Sequence, residues 1–79
     1  MKIRKAMLLE QETNIYLYEN KKEEYTLVAI PTIEWSTLIP YEEETSLLND
    51  RLQHSLVKQI HQSDALNLTS KILQWVREM

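Results

Sequence analysis

The sequence predicts one α+β domain over residues 1–79. An antiparallel meander of three to four strands is followed by two helices packed on one sheet face, in the order ββββαα. Three observations carry this reading. Apolar and polar residues alternate through the first forty positions, which is the period of strands lying on a core. Leu48, Leu52, Leu56 and Ile60 then recur every fourth residue, as in the buried stripe of a helix. The segments between candidate strands are also shorter than the crossover of roughly a dozen residues that parallel strands require.

Taken in order, the run from Ile3 to Leu9 alternates, with Ile3, Lys5, Met7 and Leu9 on one side. Glu10-Gln11-Glu12-Thr13-Asn14 reads as a polar turn. Ile15-Tyr16-Leu17-Tyr18 alternates again, placing Ile15 and Leu17 on one face and both tyrosines on the other. The charged stretch from Glu19 to Glu24 reads as a hairpin loop with Asn20 in the left-handed conformation. Tyr25 to Ile30 is apolar on both faces, which suits a central strand, and Pro31 ends it because proline has no N–H for the ladder. A fourth strand runs from Ile33 to Ile39, with Trp35, Thr37 and Ile39 on one side and Pro40 closing an edge.

The first helix carries the four-residue stripe, with Thr45 or Ser46 as its cap and Glu42-Glu43-Glu44 near the positive end of its dipole. Gln62-Ser63-Asp64 marks a break. The second helix starts either near Thr69, with Leu68 and Leu73 as a hydrophobic staple, or at Asp64, and it buries Ile72, Leu73, Val76 and Met79.

Composition narrows the possible functions. The chain has no glycine, so no P-loop, dinucleotide-binding turn or glycine-flanked serine elbow can be built, because each needs a residue without Cβ. It has no cysteine, hence no disulfide or thiolate zinc site, which suits a cytoplasmic protein. Residues 1–40 hold five bases and six acids, and residues 41–79 hold four bases and six acids; the sum, −1 and −2, gives the net charge of −3. Neither half has the positive excess that drives phosphate binding, so nucleic acid is a disfavoured partner. The longest apolar runs are too short for a membrane span of ~18 residues.

No catalytic residue, cofactor or metal is indicated. Asp50, His54 and His61 share one helical face by spacing, but that face lies opposite Leu52 and Leu56, in water, where Asp50–His54 is an ordinary i,i+4 pair. The aromatic residues are more informative. Tyr16, Tyr18, Tyr25 and Trp35 crowd amphipathic rings onto adjacent strands, as a protein interface does. The leading expectation is a non-enzymatic protein acting through protein contacts, self-association among them. The alternative is a weak single-stranded nucleic-acid binder using Tyr16, Tyr18, Tyr25 and Lys21.

The stretch from Tyr16 to Pro31, with Tyr16-Leu17-Tyr18-Glu19-Asn20-Lys21-Lys22-Glu23-Glu24-Tyr25 at its start, is followed by Glu34-Trp35-Ser36 and Pro40-Tyr41-Glu42-Glu43. Together these segments resemble the YueH-like family of small uncharacterised proteins from Bacillus-type bacteria. The resemblance implies a cytoplasmic bacterial protein and transfers no activity to any residue.

Overall fold

Four strands form one antiparallel sheet in the order β1-β2-β3-β4: β1 (Lys2–Leu8), β2 (Gln11–Asn20), β3 (Tyr25–Ile30) and β4 (Trp35–Pro40). Two helices follow, α1 (Thr45–Leu56) and α2 (Gln62–Glu78). The computed structural model describes residues 1–8 and 10–78, so the expected placements of Leu9 and Met79 lie outside the described residues. The ββββαα order read from the sequence is the order observed.

Register follows from alternation. Ile15 and Leu17 of β2 pair across to Arg4 and Lys2 of β1, and Leu17 pairs with Val28 of β3. Thr26, Val28 and Ile30 pair with Ile39, Thr37 and Trp35 of β4. Directly opposed residues share a face, so Ala6, Leu8, Ile15, Leu17, Val28, Ile30, Trp35 and Ile39 form one apolar surface. The helices cover it with Leu48, Leu52 and Leu56 from α1 and Ala65, Leu68 and Ile72 from α2. Ile60 completes the core from the segment between them. A sheet has two faces, and both helices lie on this one.

Several local expectations are corrected. Strand β2 begins at Gln11, so most of the anticipated polar turn is strand, and Thr13 points into the core at 3% exposure. Among the described residues the left-handed positions are Glu10, Glu24 and Glu34, with φ of 63°, 60° and 51°; Asn20 is not one of them. Asn20 instead uses its side chain, Oδ1 accepting the Glu23 N–H at 3.0 Å, so the turn closes without a change in its own backbone. With no glycine available, glutamates take the strained positions at some cost. Pro31–Ile33 form a 3₁₀ turn, which shortens β4 to a start at Trp35.

In α1 the N-cap is Glu44 rather than Thr45 or Ser46; its side chain accepts from the Ser46 hydroxyl at 3.1 Å and caps no backbone N–H of the helix. The first helix ends at Leu56, and Val57–His61 make the break, earlier than Gln62-Ser63-Asp64. Helix α2 therefore starts at Gln62, close to the Asp64 alternative. Thr69 is not a cap: it sits mid-helix, fully buried, with a hydroxyl that has no hydrogen-bond partner. An unsatisfied buried hydroxyl costs about 1–3 kcal/mol. Thr69→Val keeps the branched shape and removes the polar atom, so it is expected to raise stability by about 1 kcal/mol. Urea denaturation should show a higher midpoint at unchanged slope; a lower midpoint would mean that the hydroxyl has a partner.

Candidate functional site

The sheet face turned away from the helices is the molecule's most distinctive surface. Fourteen strand residues point this way by the observed register: Ile3, Lys5 and Met7; Glu12, Asn14, Tyr16, Tyr18 and Asn20; Tyr25, Leu27 and Ala29; Ser36, Leu38 and Pro40. Two rows cross its middle. Ile3, Tyr16, Ala29 and Ser36 make one, and Tyr18, Leu27 and Leu38 make the next. Ile3, Met7, Tyr18, Leu27 and Leu38 are 52%, 56%, 45%, 37% and 47% exposed, which marks the face as uncovered. Single exposed apolar residues are ordinary, but a contiguous patch is a contact surface. Only Lys5 and Glu12 carry charge among the fourteen, and they pair at 3.4 Å, so the face is neutral as well as apolar.

Three of the four aromatic residues picked out by sequence lie here. Tyr16 and Tyr18 stand on β2, and Tyr25 is on β3 opposite Pro40, its hydroxyl 3.3 Å from Asn20 Nδ2. Trp35 does not join them. It occupies the helix-covered face at 6% exposure, and its Nε1–H donates to Ser55 Oγ of α1 at 2.7 Å. The reason is parity: Trp35 pairs with inward-pointing Ile30, whereas Tyr25 pairs with outward-pointing Pro40, five residues further along β4. Leu27 and Leu38 were missed as surface members, although alternation against Val28 and Ile39 is a sufficient signal.

At the far end of the sheet, polar side chains tie strands to helices. Tyr41 donates its hydroxyl proton to Glu19 Oε2 at 2.5 Å, and this carboxylate pushes the phenol pKa up to about 12. Arg51 of α1 makes a two-point contact with Glu43, Nε to Oε2 at 2.9 Å and Nη2 to Oε1 at 2.8 Å. The same guanidinium donates to Thr37 Oγ1 at 2.7 Å and to the Leu38 carbonyl at 3.2 Å. Arg77 of α2 donates to Thr45 Oγ1 of α1 at 2.6 Å. Of these groups, Glu19, Tyr41, Glu43 and Arg77 border a notch of about 220 Å³ floored by Ile39 and Val76, and their polar atoms are engaged in the bonds just described, so they act as a polar clasp between layers.

The clasp has a pH signature. Arg51 holds the Glu43 carboxyl below its ordinary 4.5. A carboxyl whose folded pKa is depressed contributes stability above its unfolded pKa and loses it as pH falls through the folded one. Glu43→Gln is therefore expected to lower stability at neutral pH and to flatten the decline below about pH 4.5. Thermal melts from pH 7 to pH 3 check this. Parallel curves for the two proteins would remove Glu43 from the account.

The histidine group is not assembled. His54 Nδ1–H donates to the Asp50 carbonyl at 2.9 Å, so the ring bonds backbone and the expected side-chain pair is absent. His61 lies beyond α1, where its Nδ1 accepts the Ser63 N–H at 3.2 Å and its carbonyl accepts from Ala65. It thereby caps the start of α2, and the break at Val57–His61 removes it from the face of Asp50 and His54. No cluster of three metal-ligating side chains occurs among the described residues. No helix among them is long and apolar enough to cross a membrane.

Comparison with known proteins agrees with the sequence resemblance. Residues 2–78 match the family described as YueH-like protein. The chain is 49% identical over 82 aligned positions to the "Uncharacterized protein YueH" of Bacillus subtilis (strain 168), with all of both chains covered. No solved structure matches it. The chain belongs to the YueH-like family.

Proposed function

We propose that this member of the YueH-like family is a non-enzymatic cytoplasmic protein that works through protein contacts, and that its uncovered sheet face binds a second copy of the chain. The observation that supports this reading is the neutral, largely apolar outer face, in which Tyr18, Leu27 and Leu38 line up across three strands. A like copy presents the same surface, and with Lys5 and Glu12 paired internally it meets no net repulsion. Four strands span about 15–20 Å at the usual spacing, so the face has the dimensions of sheets that stack about 10 Å apart in a β-sandwich. Stacking through this face gives a four-layer dimer with helices outside and two sheets within. The interior of such an interface is apolar and rich in Tyr, as here.

Single-stranded nucleic acid stacking on Tyr16, Tyr18 and Tyr25 is the competing reading. The face that carries these rings is neutral, and Lys21 belongs to the turn beside it, so electrostatics favours protein over phosphate.

Tyr16→Ser combined with Tyr18→Ser tests the proposal. The double variant is expected to keep the circular dichroism of the wild type and to lose its concentration-dependent mass in sedimentation. A folded variant with wild-type association places the contact elsewhere. Oligonucleotide binding that falls steeply with salt and disappears in the variant would favour the competing reading.

A further inference from the structure

We infer that the free edge of β1 is a second binding site, which adds an extended segment of a partner carrying acidic side chains at alternate positions. The sheet has two edge strands, and they differ. On β4, Arg51 already occupies the Leu38 carbonyl and the Thr37 hydroxyl, so that edge is partly closed by its own helix. Strand β1 pairs with β2 alone and runs for seven residues without proline or glycine, the two residues that usually interrupt a ladder.

The chemistry of β1 selects the occupant. Within a protein of net charge −3, this one strand holds Lys2, Arg4 and Lys5 and no acid. Lys5 is paired with Glu12 on the outer face. Lys2 and Arg4 stand on the opposite face, across from Leu17 and Ile15, and have no acidic partner among the described residues. Two β1 edges brought together would place six cations along one seam, so a second copy is a poor occupant of this edge. An incoming strand with acids at i and i+2 sets one beside Lys2 and one beside Arg4, while its intervening residue lies next to Ile3 on the other face. Backbone hydrogen bonds then provide affinity, and the alternate carboxylates provide selectivity. This site is the backbone edge of β1, which adjoins the outer face at Ile3, Lys5 and Met7, and its occupancy does not require the dimer.

The test uses the full-length protein and a short synthetic peptide alternating glutamate with valine. Fluorescence anisotropy is expected to show binding that weakens with salt, and hydrogen exchange is expected to show new protection of β1 backbone amides. Replacing the glutamates by lysine should weaken binding about tenfold or more. Methylating alternate peptide nitrogens, which blocks the ladder and leaves the charges, should abolish it. Lys2→Glu with Arg4→Glu should reverse the preference toward the lysine peptide; if that variant does not fold, the methylated peptide still decides on the wild type. Equal binding of both peptides, binding that survives methylation, or no binding would each overturn the proposal, the last meaning that the cations only keep edges apart. The Tyr16→Ser and Tyr18→Ser protein should bind the peptide as the wild type does, so the two surfaces fail or succeed separately.

Discussion

Trp35→Ala is expected to unfold a large fraction of the protein. The indole is 6% exposed on the helix-covered face, opposite Ile30, and its N–H reaches Ser55 across the boundary between sheet and α1. Removing a buried Trp side chain costs about 3–5 kcal/mol, from lost burial and from the cavity left behind. A domain of this length holds roughly 4–12 kcal/mol in all, so one substitution can consume most of it. Trp35→Phe separates the two contributions: it retains most of the bulk, loses the hydrogen bond, and should cost about 1–2 kcal/mol. Urea denaturation followed by far-UV circular dichroism ranks the three proteins. A Trp35→Ala curve matching the wild type would mean that the ring is a surface group after all.

Leu52→Ala and Leu56→Ala should each cost about 2–5 kcal/mol. Both side chains are fully buried, between the sheet and α2, on the stripe that starts at Leu48. His54 lies between them in sequence and on the solvent side in space, and His54→Ala should change stability by less than about 0.5 kcal/mol. Thermal melts give the ranking directly, since each 1 kcal/mol moves the midpoint of a domain this small by about 4–8 °C. His54→Ala as the worst of the three would reverse the orientation of α1.

The sheet and the helix stripes were legible because their signals are periodic and redundant. Ile15 and Leu17 against Tyr16 and Tyr18, or Leu48, Leu52 and Leu56, report one face several times over. Boundaries were harder, because they depend on single residues. Thr69 has the chemistry of a cap, yet it lies mid-helix on the buried side of α2 with Ala65, Leu68 and Ile72, where packing overrides propensity. Asn20 has the propensity for the left-handed region, but it is the last ladder-paired residue of β2, opposite Tyr25, and Glu24 takes that conformation instead.

The aromatic group was three-quarters legible. Composition brings Tyr16, Tyr18, Tyr25 and Trp35 together, and only strand pairing divides them. A shift of one position in β4 would exchange the faces of Trp35 and Ser36. The clasp of Arg51 with Glu43, Thr37 and Leu38 joins segments separated by eight to fourteen residues and leaves no local pattern. Trp75, which packs against the core from α2, likewise went unread, because it falls beside the stripe of Ile72 and Val76.

The claim that the outer sheet face is where two copies meet is tested most directly by isotope-filtered nuclear Overhauser spectra on a mixture of labelled and unlabelled protein. Only contacts between different molecules appear in such spectra. They are expected to connect the rings of Tyr16 and Tyr18 with the methyl groups of Ile3, Leu27 and Leu38. Intermolecular contacts confined to Leu47, Val57 and Leu66 on the helices, or none from the outer sheet face at concentrations where the protein sediments above the monomer mass, would contradict it; so would a monomer mass at every concentration reached.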